Sequence, residues 1–237
     1  MAFGSRTMVF SALALAFASP AVAQDAAPAP EAPVVATPAP AAPAAPAMTP
    51  EQFMGVPEHM LHLDLSTGGR VTIQLFPHVA PAHVERVKQL ARAGFYDGHK
   101  FHRVIDGFMA QTGDPTATGT GASQLPDLTA EFNPTPHLRG TVSMARAQDP
   151  NSANSQFFIM FLPRFSLDRN YTAFGRVVSG MQHVDAIQRG EPPAVMSRMV
   201  QVSVAADNKS MPPASMLVEA AAPVPSVAEL NAPVPTP

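Results

Sequence analysis

A mainly β fold, a closed barrel of short strands carrying two helices, is predicted by three observations. Short alternating apolar runs recur through the middle of the chain, turns rich in Gly, Pro and Asn separate them, and two stretches show helical spacing. Leu61, Leu63 and Leu65 alternate with His62 and Asp64, and Val71, Ile73 and Leu75 alternate with Thr72 and Gln74. Between these strands Ser66-Thr67-Gly68-Gly69 supplies the glycines of a tight hairpin. Pro81 then opens a helical pattern with Val84, Val87, Leu90 and Ala91 on one stripe, and Gly94 stands at a left-handed C-terminal cap.

The next stretch, Phe95 to Gly121, reads FYDGHKFHRVIDGFMAQTGDPTATGTG. Written as an extended segment, it places Phe101, Arg103 and Ile105 on one face and His102, Val104 and Asp106 on the other. The arginine thus shares a face with apolar groups. From Ala122 to Gly140 there is little periodicity and there are prolines either side of Thr135, so a long ordered loop is expected. Strands resume at GTVSMA (140–145), QFFIMF (156–161) and AFGRVV (173–178). A second short helix is expected over Met181 to Gln188 with Val184 and Ile187 inward, and Arg198 to Val204 closes the fold on Met199, Val200, Val202 and Val204.

Four segments divide the chain. Residues 1–23 read as a signal peptide: Arg6 is the positive region, Met8 to Phe17 an apolar stretch shorter than the ~20 residues of a spanning helix, and Ala21-Val22-Ala23 a small-residue cleavage site. Residues 24–57 are an Ala/Pro-rich linker and 207–237 a Pro/Ala-rich tail. Both are expected to be disordered, because their composition buries too little apolar surface to offset chain entropy. Residues 58–206 are long enough for one domain with a full core. A net charge of −3 without a Lys/Arg cluster gives no electrostatic footprint for nucleic acid. The absence of cysteine leaves packing alone to hold the domain. These features lead us to expect an exported protein, periplasmic in a two-membrane cell and otherwise secreted or wall-associated, monomeric, and not inserted in a membrane after cleavage.

Several separated pieces in order, FYDG (95–98), FHRVIDGFMAQTGD (101–114), GTG (119–121), GTVSMA (140–145), SQFFI (155–159) and FGRVV (174–178), give the chain a resemblance to the cyclophilin family of peptidyl-prolyl cis-trans isomerases. The resemblance runs from about Met60 to Val204. It implies an eight-stranded antiparallel closed barrel capped by two helices, with the active groove on its outer face. It further implies Arg103 as the catalytic residue, and Phe108, Met109, Phe158 and Leu167 as walls of a proline pocket. His102 and Gln111 would flank that pocket, and Ala145, Arg146 and Tyr171 would complete the substrate-binding set. Proline-containing polypeptides are the implied partners, with no cofactor and no metal. Ser166 stands where animal members often carry Trp, and Tyr171 where they often carry His, so weak cyclosporin affinity is expected.

These residue types suit the reaction. Rotation about an X-Pro bond breaks amide resonance over a barrier of ~18–20 kcal/mol without making or cutting a bond. A guanidinium, charged at ordinary pH and offering several donors in one plane, stabilises a twisted amide whose nitrogen accepts a hydrogen bond. Gly119-Thr120-Gly121 lacks the Lys-Ser/Thr of a phosphate loop and reads as a turn. A serine hydrolase assembled from Ser143 or Ser155, His102 and Asp168 lacks a GxSxG motif. The alternative to catalysis is a non-catalytic, proline-peptide-binding chaperone or assembly module on the same fold.

Overall fold

The computed structural model describes residues 54–218. The leader 1–23, residues 24–53 of the linker and the tail from 219 lie outside the described residues.

Eight strands form one antiparallel sheet: β1 (Met60–Leu65), β2 (Gly69–Leu75), β3 (Arg103–Ile105), β4 (Met109–Thr112), β5 (Thr141–Met144), β6 (Phe157–Met160), β7 (Ala173–Ser179) and β8 (Met199–Val204). Their spatial order is β3-β4-β6-β5-β7-β2-β1-β8. The sheet curls round Leu61, Leu63, Val71, Ile73, Val104, Ala110, Val142, Phe157, Ile159, Phe174 and Val202, all buried in one cluster. Helix α1 (Pro81–Arg92) packs on β8 through Val84, Val87, Leu90 and Ala91, and the short α2 (Met181–Asp185) lies against β2 with Val184 buried. Gly94, just past α1, has φ +70° and donates its N–H to Ala91 O, as a left-handed cap requires. The Glu131 carboxylate accepts the N–H groups of Ala82 and His83, satisfying donors that the first turn of a helix leaves open.

The closed barrel expected from the sequence is corrected to a curled half-barrel, because β3 and β8 do not form a ladder. β3 has three residues, and the chain that runs into it passes β8 irregularly: Gly98 N–H donates to Met199 O, Met199 N–H to His99 O and Phe101 N–H to Ser197 O. Single bridges, Lys100 with Arg198 and Val104 with Gly190, stand in for continuous pairing. The alternation also fails to run back through Phe101, which precedes β3 and is buried in the main core. In β8, Met199 pairs with Leu65 but Gln201 with Asp64, so Val200 is a bulge residue. This is why Met199 and Val202 both face inward despite an odd spacing.

The folded domain extends past both sequence boundaries. Gly55 N–H donates to Gln74 Oε1, and Pro57–His59 form a 3-10 turn leading into β1. Residues 207–218, assigned by composition to a disordered tail, are held on the sheet. Asp207 pairs with Arg92, Lys209 O and Ser210 O accept from Arg70 and Gln201, and Leu217 is buried in α3 (Ala214–Leu217).

Candidate active site

Register across four strands builds the site. Arg103 pairs with Gln111, Gln111 with Phe158, and Phe158 with Ser143; beside that row, Ile105 pairs with Met109 and Met109 with Met160. Because side chains alternate across a strand, these residues all point to the face opposite the main core. The inward partners are Val104, Ala110, Phe157 and Ile159. Of the adjacent pair Phe157 and Phe158, the first therefore fills the core. The second joins Met109 and Met160 in a separate apolar cluster on the outer face, packed by Ile105, Phe108, Ala145, Leu167 and Tyr171.

Over this cluster lies an open cleft of about 260 Å³ lined by Arg103, Phe108, Met109, Gln111, Ala145, Arg146, Phe158, Leu167 and Tyr171. Nine of the ten residues singled out from the sequence thus meet in one place. His102 does not line it. Strand alternation turns it away from Arg103; it is buried close to Gly119, and burial, the largest influence, lowers its pKa.

Each wall is held from behind. Leu167 closes the 3-10 turn Phe165–Leu167, and its carbonyl accepts the N–H groups of Asn170 and Tyr171. Asp168 Oδ1 accepts the His137 N–H at 2.8 Å and lies 2.9 Å from His137 Nδ1, while His137 Nε2 lies 3.0 Å from Ser143 Oγ. The His137 ring stacks on Phe158 at 6.3 Å between centroids. Burial lowers the His137 pKa against the opposing pull of Asp168, so the neutral ring links carboxylate to hydroxyl. Asp168, His137 and Ser143 are the residue types of a hydrolytic triad, yet His137 and Ser143 are fully buried beneath the aromatic floor. No substrate reaches that hydroxyl, and the chain acts as a brace. His102, the histidine that the sequence paired with these residues, takes no part in it.

Two cations stack on the aromatic walls. The Arg146 guanidinium sits 4.6 Å from the Tyr171 ring centroid and donates to the carbonyls of Ala147, Gln148 and Asn170; Arg164 sits 4.8 Å from that of Phe108. Arg103 itself is about half exposed, and its Nε–H donates to Glu191 Oε2 at 2.7 Å. Sequence reading missed Glu191, since no motif contains it and it lies far along the chain from Arg103.

An adjoining cleft of about 410 Å³ shares Gln111, Ala145 and Arg146 with the first and is otherwise walled by the 119–122 loop, Asp127, Ala147, Ser152, Asn154 and Gln156. Its wall is organised by a buried carboxylate. Asp114 accepts the N–H groups of Thr116, Thr118, Gly119 and Gly121 and the Thr116 hydroxyl. Burial raises its pKa, but these donors outweigh burial and hold it at about 2. Gln156 Nε2 ties the loop carbonyls of Gly119 and Gly121, and its Oε1 accepts from Gln111, so the loop is linked to the row containing Arg103.

Comparison with known proteins identifies the family and the fold. Residues 62–206 match the family model described as cyclophilin type peptidyl-prolyl cis-trans isomerase/CLD. A probable peptidyl-prolyl cis-trans isomerase of Brucella suis is 48% identical over 169 residues, 65% of this chain and 86% of that protein. Peptidyl-prolyl cis-trans isomerase B of Bacillus subtilis is 40% identical over 131 residues, 54% of this chain and 89% of that protein. Among solved structures, the cyclophilin AquaCyp293 of Hirschia baltica superposes with a TM-score of 0.60 at 29% identity, covering 68% of this chain and 82% of that one. A Cryptosporidium parvum cyclophilin-type isomerase solved in the presence of the dipeptide Ala-Pro gives 0.58 at 26% identity, covering 61% and 98%.

Proposed function

The chain belongs to the cyclophilin-type peptidyl-prolyl cis-trans isomerases, and from that membership we propose that Arg103 stabilises the twisted X-Pro amide of a polypeptide laid across the outer-face cleft. The observation that carries this reading is the Arg103 guanidinium beside an apolar floor of Phe108, Met109 and Phe158 in the same cleft, where the second arginine, Arg146, is engaged by the Tyr171 ring and three backbone carbonyls. The proline ring sits on that floor, which fixes it while the preceding carbonyl swings. As rotation breaks amide conjugation, the prolyl nitrogen becomes pyramidal and gains a lone pair, and the arginine donates to it. The arginine stays protonated throughout, and no proton need be transferred. Gln111 and the backbone at Ala145 and Arg146 hold the chain on either side.

The signal-like leader supports a further element of the proposal, that the clients are exported polypeptides whose folding waits on proline isomerisation. Recovery of the chain, shortened by its first 23 residues, in the extracytoplasmic fraction is the expected outcome; full-length chain in the cytosol would remove this element.

Arg103→Ala is the test of mechanism. Loss of one preorganised donor lowers rates by about 10² to 10³ in closed sites, and the half-exposed position of Arg103 points to the lower end. In a protease-coupled or NMR-exchange assay on an Ala-Pro-Phe peptide, the variant is expected to lose about 10²-fold in kcat/KM. It should keep its ability to suppress client aggregation if holding is a separate activity. A variant that isomerises at the wild-type rate would overturn the arginine assignment.

A further inference from the structure

We infer that Glu191 is a positioning residue for the isomerase, clamping the Nε edge of the Arg103 guanidinium so that its terminal amino groups are presented to the prolyl amide. The inference rests on the reading of Arg103 given above. Of the guanidinium's five N–H donors, the Nε–H is engaged, by Glu191 Oε2 at 2.7 Å; the remainder have no protein partner among the described residues. Arg103 has a long side chain on a three-residue edge strand and is half exposed. Without a fixed contact it would sample many rotamers, and a donor spread over rotamers is not preorganised.

Glu191 is delivered to that spot by a built connection. Gly190 and Val104 exchange both backbone hydrogen bonds at 2.8 Å, which fixes the residue after Gly190 beside the residue before Val104. Glycine is needed there: φ at Gly190 is +145°, and a Cβ would lie 2.6 Å from Pro193 Cα. On the other side of the bridge the charges are reversed. Arg189 Nε donates to Asp106 Oδ1 at 3.2 Å, its Nη1 donates to the carbonyls of Asp185 and Ile187, and its guanidinium lies 4.1 Å from the Phe161 ring centroid. Arg103 and Asp106 on one side therefore meet Glu191 and Arg189 on the other, with signs matched across an antiparallel contact. The segment that fills the gap beside β3 is thus also the one that orients the arginine.

As a half-exposed pair, Arg103 and Glu191 contribute little to global stability, so the readouts are kinetic and spectroscopic. In the full chain, Glu191→Ala is expected to lower kcat about three- to fivefold, with KM and Tm close to wild type, the rate equivalent of losing one exposed ion pair. Glu191→Gln, which keeps an acceptor, is expected to recover most of that loss. Combined with Arg103→Ala, Glu191→Ala is expected to slow the enzyme no further. In 15N spectra the Arg103 Nε–H signal of the wild type should be shifted and protected, and should move to the free-guanidinium position in Glu191→Ala. Unchanged kcat in Glu191→Ala, or an equal slowing by it in the Arg103→Ala background, overturns the inference. A wild-type chain without isomerase activity would instead defeat the functional reading, while the Nε–H signal would still report whether the clamp exists.

Discussion

Replacing Asp114 with Asn should weaken the domain by about 3 to 5 kcal/mol at neutral pH. The carboxylate is almost fully buried and accepts four backbone N–H groups and a hydroxyl at 2.6 to 3.1 Å. Its pKa of about 2, against an ordinary 3.8, corresponds to about 2 kcal/mol of preferential stabilisation of the charged form. The amide adds a second cost, because its NH2 must face a donor, and an unsatisfied buried group costs a further ~1–3 kcal/mol. For a domain of this size the loss corresponds to a fall in Tm of roughly 6 to 20 °C.

The sign of the pH dependence follows from the depressed pKa. Asp114 adds its full stabilisation above about pH 4, and the contribution disappears as pH falls through about 2. Urea unfolding of wild type and Asp114→Asn across pH 7 to 2 is therefore expected to show a gap at neutral pH that narrows in acid. A variant within 1 kcal/mol of wild type at pH 7, or one retaining the wild-type slope between pH 4 and 2, would refute the account of the loop.

Phe158→Ala should raise KM for X-Pro peptides and cost about 3 kcal/mol of stability, since Phe158 is both cleft floor and centre of the outer cluster; steady-state kinetics with calorimetry checks both. Truncation after Ala206 removes the Asp207 pair to Arg92 and the buried Leu217, so Tm should fall while kcat on a short peptide is unchanged. Cyclosporin should inhibit weakly, because Ser166 lies in the 3-10 turn beside Leu167 where a Trp would supply apolar area; nanomolar inhibition in the isomerase assay would contradict this.

The parts of the fold legible in the sequence are those with a repeated local signal. Leu61, Leu63 and Leu65, the Val84–Val87–Leu90 stripe and Gly94 each carry their own period or cap, and the structure places them accordingly. Two kinds of feature were not legible. Val200 looks like one more inward residue because a bulge leaves no mark in composition, and Leu217 is one leucine in a proline-rich run, too weak a pattern to predict docking. Within the site, the arginine and aromatic residues stand in dense motifs, and register gathers them. Glu191 and His137 depend on contacts between loops remote in sequence, and neither has a spacing that betrays its partner. The closed barrel was an extrapolation from strand number, and strand number does not specify whether a three-residue strand can complete a ladder.

The position of β1 has a kinetic consequence. It lies between its hairpin partner β2 and the last strand, β8, with Leu61 opposite Val204. A chain growing from its N-terminus can form the hairpin at once, but the other edge of β1 has no partner until nearly the whole domain has been made. The early product is a two-stranded ribbon, marginal in water, with an open edge that other chains can pair with. Completion then requires closing a loop that spans almost the entire domain, which places this fold among slow-folding topologies dominated by distant contacts. Until its final strand arrives, the growing chain keeps that edge of β1 open.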